Sequence, residues 1–112
     1  MKAKVFANDI LIGMVNLKIG DYNMGGLYGV FTPNEYYIKK IQEQVQYFNE
    51  QSNKDFHIWD SLNFKIELMN GCILEPMGGI VIADFNEMFG EQIQIELAGV
   101  ACDIIDRYFN IE

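Results

Sequence analysis

Residues 27–52 read LYGVFTPNEYYIKKIQEQVQYFNEQS, and a change of period inside this stretch decides the fold. Leu27-Tyr28-Gly29-Val30-Phe31 has the apolar content of a strand. Thr32-Pro33-Asn34-Glu35 then carries the signals of a helix start. A Thr32 hydroxyl can accept from the free amides of a first turn. Pro33 suits the first helical position, where its missing N–H costs nothing. Glu35, three residues after Thr32, can reach back to complete a capping box. Beyond it, Tyr37, Ile41, Val45 and Phe48 recur at helical spacing and form one apolar face. Lys39, Lys40, Gln42, Glu43, Gln46 and Glu50 fall on the face toward water, and Glu35–Lys39 and Lys39–Glu43 are favourable i,i+4 pairs. The spacing predicts a helix over 33–52.

Strand signals lie on both sides of that helix. Residues 3–7 and 10–18 are joined by Asn8-Asp9, two residue types that tolerate the positive φ of a tight hairpin. Val15-Asn16-Leu17-Lys18-Ile19 alternates with the period of a half-buried strand. Residues 49–61 are polar and irregular, with Phe56, Ile58 and Trp59 as apolar points. Strands follow at 64–69, 72–74, 80–83 and 93–97. Asn70-Gly71 forms the second hairpin signal, and a short helix is expected over 100–109. Hairpin connections imply antiparallel pairing. The expected fold is α+β in one domain spanning 1–112. A mostly antiparallel sheet of five to seven strands carries the long helix on one face, and the short helix lies at the C-terminus. Phe6, Val30, Phe64, Ile73, Ile80 and Ile104 are assigned to the core with the alternating residues around them.

The chain has 112 residues, half of them hydrophobic and 21% charged, which excludes disordered and coiled-coil classes. Its net charge is −8. That balance argues against a sequence-independent grip on nucleic acid and against anionic membrane surfaces. The charge is concentrated. Residues 75–112 hold Glu75, Asp84, Glu87, Glu91, Glu96, Asp103, Asp106 and Glu112 against Arg107 alone, a net of −7. Buried unpaired carboxylates are costly, so these acids are expected to form a negative surface around Asp84, Glu87, Glu91, Asp103 and Asp106. Such a surface steers a basic protein toward it.

Met24-Gly25-Gly26-Leu27-Tyr28-Gly29-Val30-Phe31 is similar to Met77-Gly78-Gly79-Ile80-Val81-Ile82-Ala83-Asp84-Phe85. Paired glycines permit a sharp reversal before a packed strand. If the two turns lie together, Gly25, Gly26, Gly78 and Gly79 would let a ligand or partner approach the backbone. His57, the only histidine, stands near Trp59 and Asp60 and is the one candidate general base. No P-loop, dinucleotide fingerprint, H-E-x-x-H or G-x-S-x-G motif is present. No metal-ligand spacing and no cofactor motif are found, so neither group is expected.

The stretch VFANDILIGMVNLKIGDYNMGGLYGVFTPNEYY resembles a family of small bacterial proteins without an assigned activity, whose pattern runs F-x-N…D-x-x-M-G…G-x-F-x-P. That resemblance implies no catalytic residue. The chain is also similar in general type to bacterial immunity proteins, which bind a toxin domain and block it. The reading is therefore a non-enzymatic acidic protein-binding domain, of immunity type, with a basic protein as partner. Neither nucleic acid nor membrane is expected as a partner, and homo-oligomerisation is left open. The alternative is a small enzyme or ligand-binding domain using His57, carboxylates and a glycine turn. The apolar run after Lys2 and Lys4 stops at Asn8-Asp9, too short for a secretory signal, so a cytoplasmic location is expected. Cys72 and Cys102, read as a buried strand residue and a helix-face residue, are then both thiols. Titration with a thiol reagent under denaturing, non-reducing conditions should find two free groups; finding none would reverse the compartment.

Overall fold

A computed structural model of the protein describes residues 1–85 and 92–109. The chain runs through β1 (Lys2–Ala7), β2 (Ile10–Ile19), a 3-10 turn (Tyr22–Met24) and β3 (Leu27–Pro33). A π-helical turn (Tyr37–Ile41) then continues into α1 (Gln42–Glu50), followed by α2 (Phe56–Ser61). β4 (Phe64–Leu68), β5 (Ile73–Leu74), β6 (Gly79–Ala83), β7 (Gln94–Ala98) and α3 (Cys102–Tyr108) complete it. All seven strands form one curled antiparallel sheet in the order β5-β4-β1-β2-β3-β7-β6.

The period-2 pattern sorts side chains between the two faces of this sheet. Ala3, Val5, Ala7, Val15, Leu17, Leu27, Phe31, Ile66, Leu68, Ile82, Ile95 and Leu97 point inward and are buried. Ile12 joins them because the β1–β2 register slips there: Val5 pairs with Gly13 but Phe6 pairs with Leu11. That bulge leaves Ile12 as the extra residue, so Ile12 and Val15 share the inner face. Tyr37, Ile41, Val45 and Phe48 cover the core as the helical spacing requires.

The helix starts later than its sequence suggests. Thr32 is exposed and pairs with Met14, and Pro33 pairs with Gly13, so both belong to β3. Asn34 makes the cap instead. Its Oδ1 accepts from the Tyr37 amide at 3.0 Å, its own amide donates to the Ile12 carbonyl, and its Nδ2 donates to the Leu11 carbonyl. The β2 ladder thus holds the chain extended for two residues beyond the sequence signal. Residues 56–61, expected to be irregular, form α2, capped by the Asp55 carboxylate accepting from the His57 amide.

The β4–β5 hairpin also differs. Of Asn70 and Gly71, only Gly71 has positive φ. The Gly71 amide donates to the Leu68 carbonyl, and the Leu68 amide donates to the Cys72 carbonyl. The loop therefore has three residues, and Ile66 faces Leu74 while Glu67 faces Ile73. A two-residue turn would have exchanged the faces. This puts Leu74 in the core and leaves Ile73 52% exposed. Cys72 is half-buried in this turn, outside the strand. Phe6, Val30, Phe64, Ile80 and Ile104 are only partly buried.

β5 and β6 run in the same direction, separated by residues 75–78 alone. In effect one strand leaves β4 and joins β7, so the curled sheet has a seam between its two ends. Helical side chains answer the outer edge of β6. Trp59 Nε1 donates to the Ile80 carbonyl at 2.9 Å, and Asn49 Nδ2 donates to the carbonyls of Ile82 and Asp84 at 2.8 and 3.1 Å. An uncovered edge of this kind would be a template for another strand.

The two Met-Gly-Gly segments occupy equivalent places. Leu27 and Ile80 both pair with Leu97, Tyr28 and Val81 with Glu96, Gly29 and Ile82 with Ile95, and Val30 and Ala83 with Gln94. β3 and β6 thus flank β7 in the same register. The turns before them clasp the end of β7. The Gly99 and Val100 amides donate to the Met24 and Gly25 carbonyls, while the Met77 and Gly78 amides donate to the Gly99 and Ala98 carbonyls. Gly25 sits at φ +64, and a Cβ there would lie 2.3 Å from the Val100 carbonyl oxygen. Gly25→Ala should therefore cost about 2–5 kcal/mol, from backbone strain plus overlap. Gly79, at φ +97 with open space around it, should cost only about 1–2 kcal/mol on replacement by Ala. Urea unfolding of both variants checks this; equal costs would mean that Val100 is not held against Gly25.

Candidate functional site

The five proposed surface acids have different fates. Asp84 is buried, at 3% exposure, and does not belong to any negative surface. Glu87 and Glu91 lie outside the described residues. Asp103 and Asp106 are exposed on α3.

Asp84 follows β6, and three neutral donors receive its carboxylate. Tyr37 donates its hydroxyl to Oδ2 at 2.7 Å, Gln42 donates Nε2 to Oδ2 at 3.1 Å, and Gln46 donates Nε2 to Oδ1 at 3.1 Å. These bonds replace the water that burial removes. The π-helical turn makes the arrangement. Five residues of α-helix advance about 500°, which would set Gln42 far around from Tyr37. A turn closed by the Gln42 amide on the Tyr37 carbonyl brings the two onto one side. Gln42 and Gln46, read from sequence as water-facing, are half-buried as a result. A sequence clue existed: a tyrosine on an apolar helical face needs a hydroxyl partner, and Gln42 and Gln46 are an uncharged i,i+4 pair on the same helix.

A second feature lies at the seam. A cleft of about 420 Å³ opens between α2 and β6, lined by Phe48, Phe56, Trp59 and Phe64, by Asp60 and Asn63, and by Pro76, Ile80 and Val81. Its rings are tilted against one another: Phe48–Trp59 at 4.5 Å and 31°, Trp59–Phe64 at 4.9 Å and 56°, and Phe48–Phe56 at 5.4 Å and 73°. Phe56 is 62% exposed. Lys54 donates to the carbonyls of Phe48, Asn49 and Gln51 at the end of α1, and its ammonium stands 5.4 Å from the Phe48 ring centre. His57 is exposed and does not line this cleft. Among the described residues, no three His, Cys, Asp or Glu side chains converge as metal ligands.

A third feature is the exposed end of the molecule where α3 meets the 3-10 turn. The Tyr22 hydroxyl donates to Asp106 Oδ1 at 2.7 Å. That bond pushes the tyrosine pKa up to about 12. The Asp21 carboxylate accepts from the Met24 amide. Cys102 is exposed, with its Sγ 3.8 Å from the Tyr22 carbonyl. Gly25 and Gly78 stand on opposite sides of the end of β7. What approaches the backbone of both is the chain's own segment 98–100. No described helix is long and apolar enough to cross a membrane.

The buried cluster gives a direct prediction. Asp84→Ala strands the Tyr37 hydroxyl and two amides and should cost about 2–4 kcal/mol, whereas Tyr37→Phe should cost about 1–2 kcal/mol. Burial, and then the bond to Asp84, raise the Tyr37 pKa well above its ordinary value of 10.0. The folded protein therefore keeps this proton longer than the unfolded chain does. The stabilisation is complete below about pH 10 and is lost as pH rises beyond it. Chemical unfolding between pH 9 and about pH 11.5 should show wild type losing stability faster than Tyr37→Phe. Comparison with protein-family models, with curated proteins and with solved structures returns no match.

Proposed function

We propose that the protein is a non-enzymatic binding domain that engages a basic protein partner, in the manner of an immunity-type inhibitor covering the positive face of a toxin or effector. The observation that carries this reading is the exposed acidic end of the fold. Asp103 and Asp106 project from α3, and Asp21 lies exposed on the adjoining turn. The Tyr22–Asp106 bond ties the two elements together. A fixed negative surface raises the encounter rate with a positive one and needs no pocket.

The aromatic cleft favours a second reading, a ligand-binding domain. In that case a small apolar molecule would fill the space between α2 and β6. Among the described residues, His57, the carboxylates and the glycine turns do not converge, so no observation favours the catalytic form of that alternative.

The test begins by isolating the partner from the native cell and continues with association kinetics at two salt concentrations. Replacing Asp103 and Asp106 by Lys should slow association by about tenfold or more at low salt and much less at high salt. An acidic partner, or association indifferent to both salt and charge reversal, would contradict the proposal.

A further inference from the structure

Resting on the reading of a basic partner, we propose that the aromatic cleft between α2 and β6 receives an arginine side chain of that partner, with Asp60 as its counter-charge. Three observations carry this. First, four tilted rings, Phe48, Phe56, Trp59 and Phe64, line the cleft together with Pro76, Ile80 and Val81. The indole N–H of Trp59 is committed to the Ile80 carbonyl, so Trp59 offers an occupant its aromatic ring and no hydrogen-bond donor. Second, among the described residues the one charged side chain lining the cleft is that of Asp60. Asp60 is exposed, and its carboxylate makes no hydrogen bond or ion pair among the described residues. A planar guanidinium can stack on the rings and reach that carboxylate at once, which an ammonium does less well. Third, the cluster already tolerates a cation, since the Lys54 ammonium stands over the Phe48 ring.

The chain's only tryptophan lies in this cleft, so its fluorescence reports occupancy directly. The probe is an acetylated, amidated tetra-arginine peptide, compared with the same peptide carrying citrulline. The arginine peptide should change Trp59 emission saturably, and the citrulline peptide should not. Asp60→Asn and Phe56→Ala, both at exposed positions, should each weaken the effect by about fivefold or more. Replacing Asp103 and Asp106 by Lys should slow binding without abolishing the Trp59 response. Equal responses to arginine and citrulline would overturn the inference in favour of an apolar groove. Guanidinium ion as effective as the peptide would overturn the assignment to a protein side chain. Calorimetric binding of the peptide with Trp59 silent, lost on reversing Asp103 and Asp106, would refute the cleft while leaving the acidic-surface proposal standing. Absence of any binding would refute the cleft inference and count against a basic partner as well.

Discussion

Three carbonyl oxygens on the outer edge of β6, those of Ile80, Ile82 and Asp84, set the terms for the rest of this fold. A curled sheet has two ends, and here the chain crosses between them in the few residues from β5 to β6. The end at β6 would present unpaired backbone groups to solvent or to another strand. Trp59 and Asn49 take these carbonyls from within the molecule. Both side chains come from the helical segment between β3 and β4, which therefore covers the inner face and closes the edge at the same time. The Asp84 carboxylate adds a second tie to the same segment through Tyr37, Gln42 and Gln46.

This arrangement places the features available for recognition. Trp59, anchored by its N–H, lines the cleft at the seam with Phe48, Phe56 and Phe64. The glycine turns clasp the end of β7, and α3 follows directly from the clasped segment. The acidic surface of α3 is thus held to the sheet by backbone bonds at Met24, Gly25 and Gly78, and to the 3-10 turn by Tyr22.

Much of the fold was legible. Alternation in 15–19, 64–68 and 93–97 and the 37–41–45–48 stripe reported burial directly, because each follows the period of its element. The misses have local physical causes. Thr32 carried a good capping signal, but a competing ladder to Met14 kept it in β3 and passed the cap to Asn34. Ile73 and Leu74 exchanged faces because the loop after Leu68 has three residues, and Asn-Gly is compatible with either length. Among the expected surface acids, Asp84 is the one found buried. Asp84 looks in sequence like its neighbours Glu87 and Glu91, and only the π-helical turn, which no residue pattern announces, assembles the donors that bury it. α2 was obscured by its polar flanks, although Asp55 ahead of Phe56 is a fair cap.

The central claim is that side chains from the helical segment hold β6 in the sheet. Native-state amide exchange of Asn49→Ala, read residue by residue, addresses it directly. Asn49 supplies two of the three edge bonds and packs outside the core stripe. The account requires amides of β6 and β7 to exchange about tenfold faster or more in the variant, while those of β1, β2 and β4 slow or quicken only with global stability. Uniform acceleration across all strands, or none in β6, would contradict it.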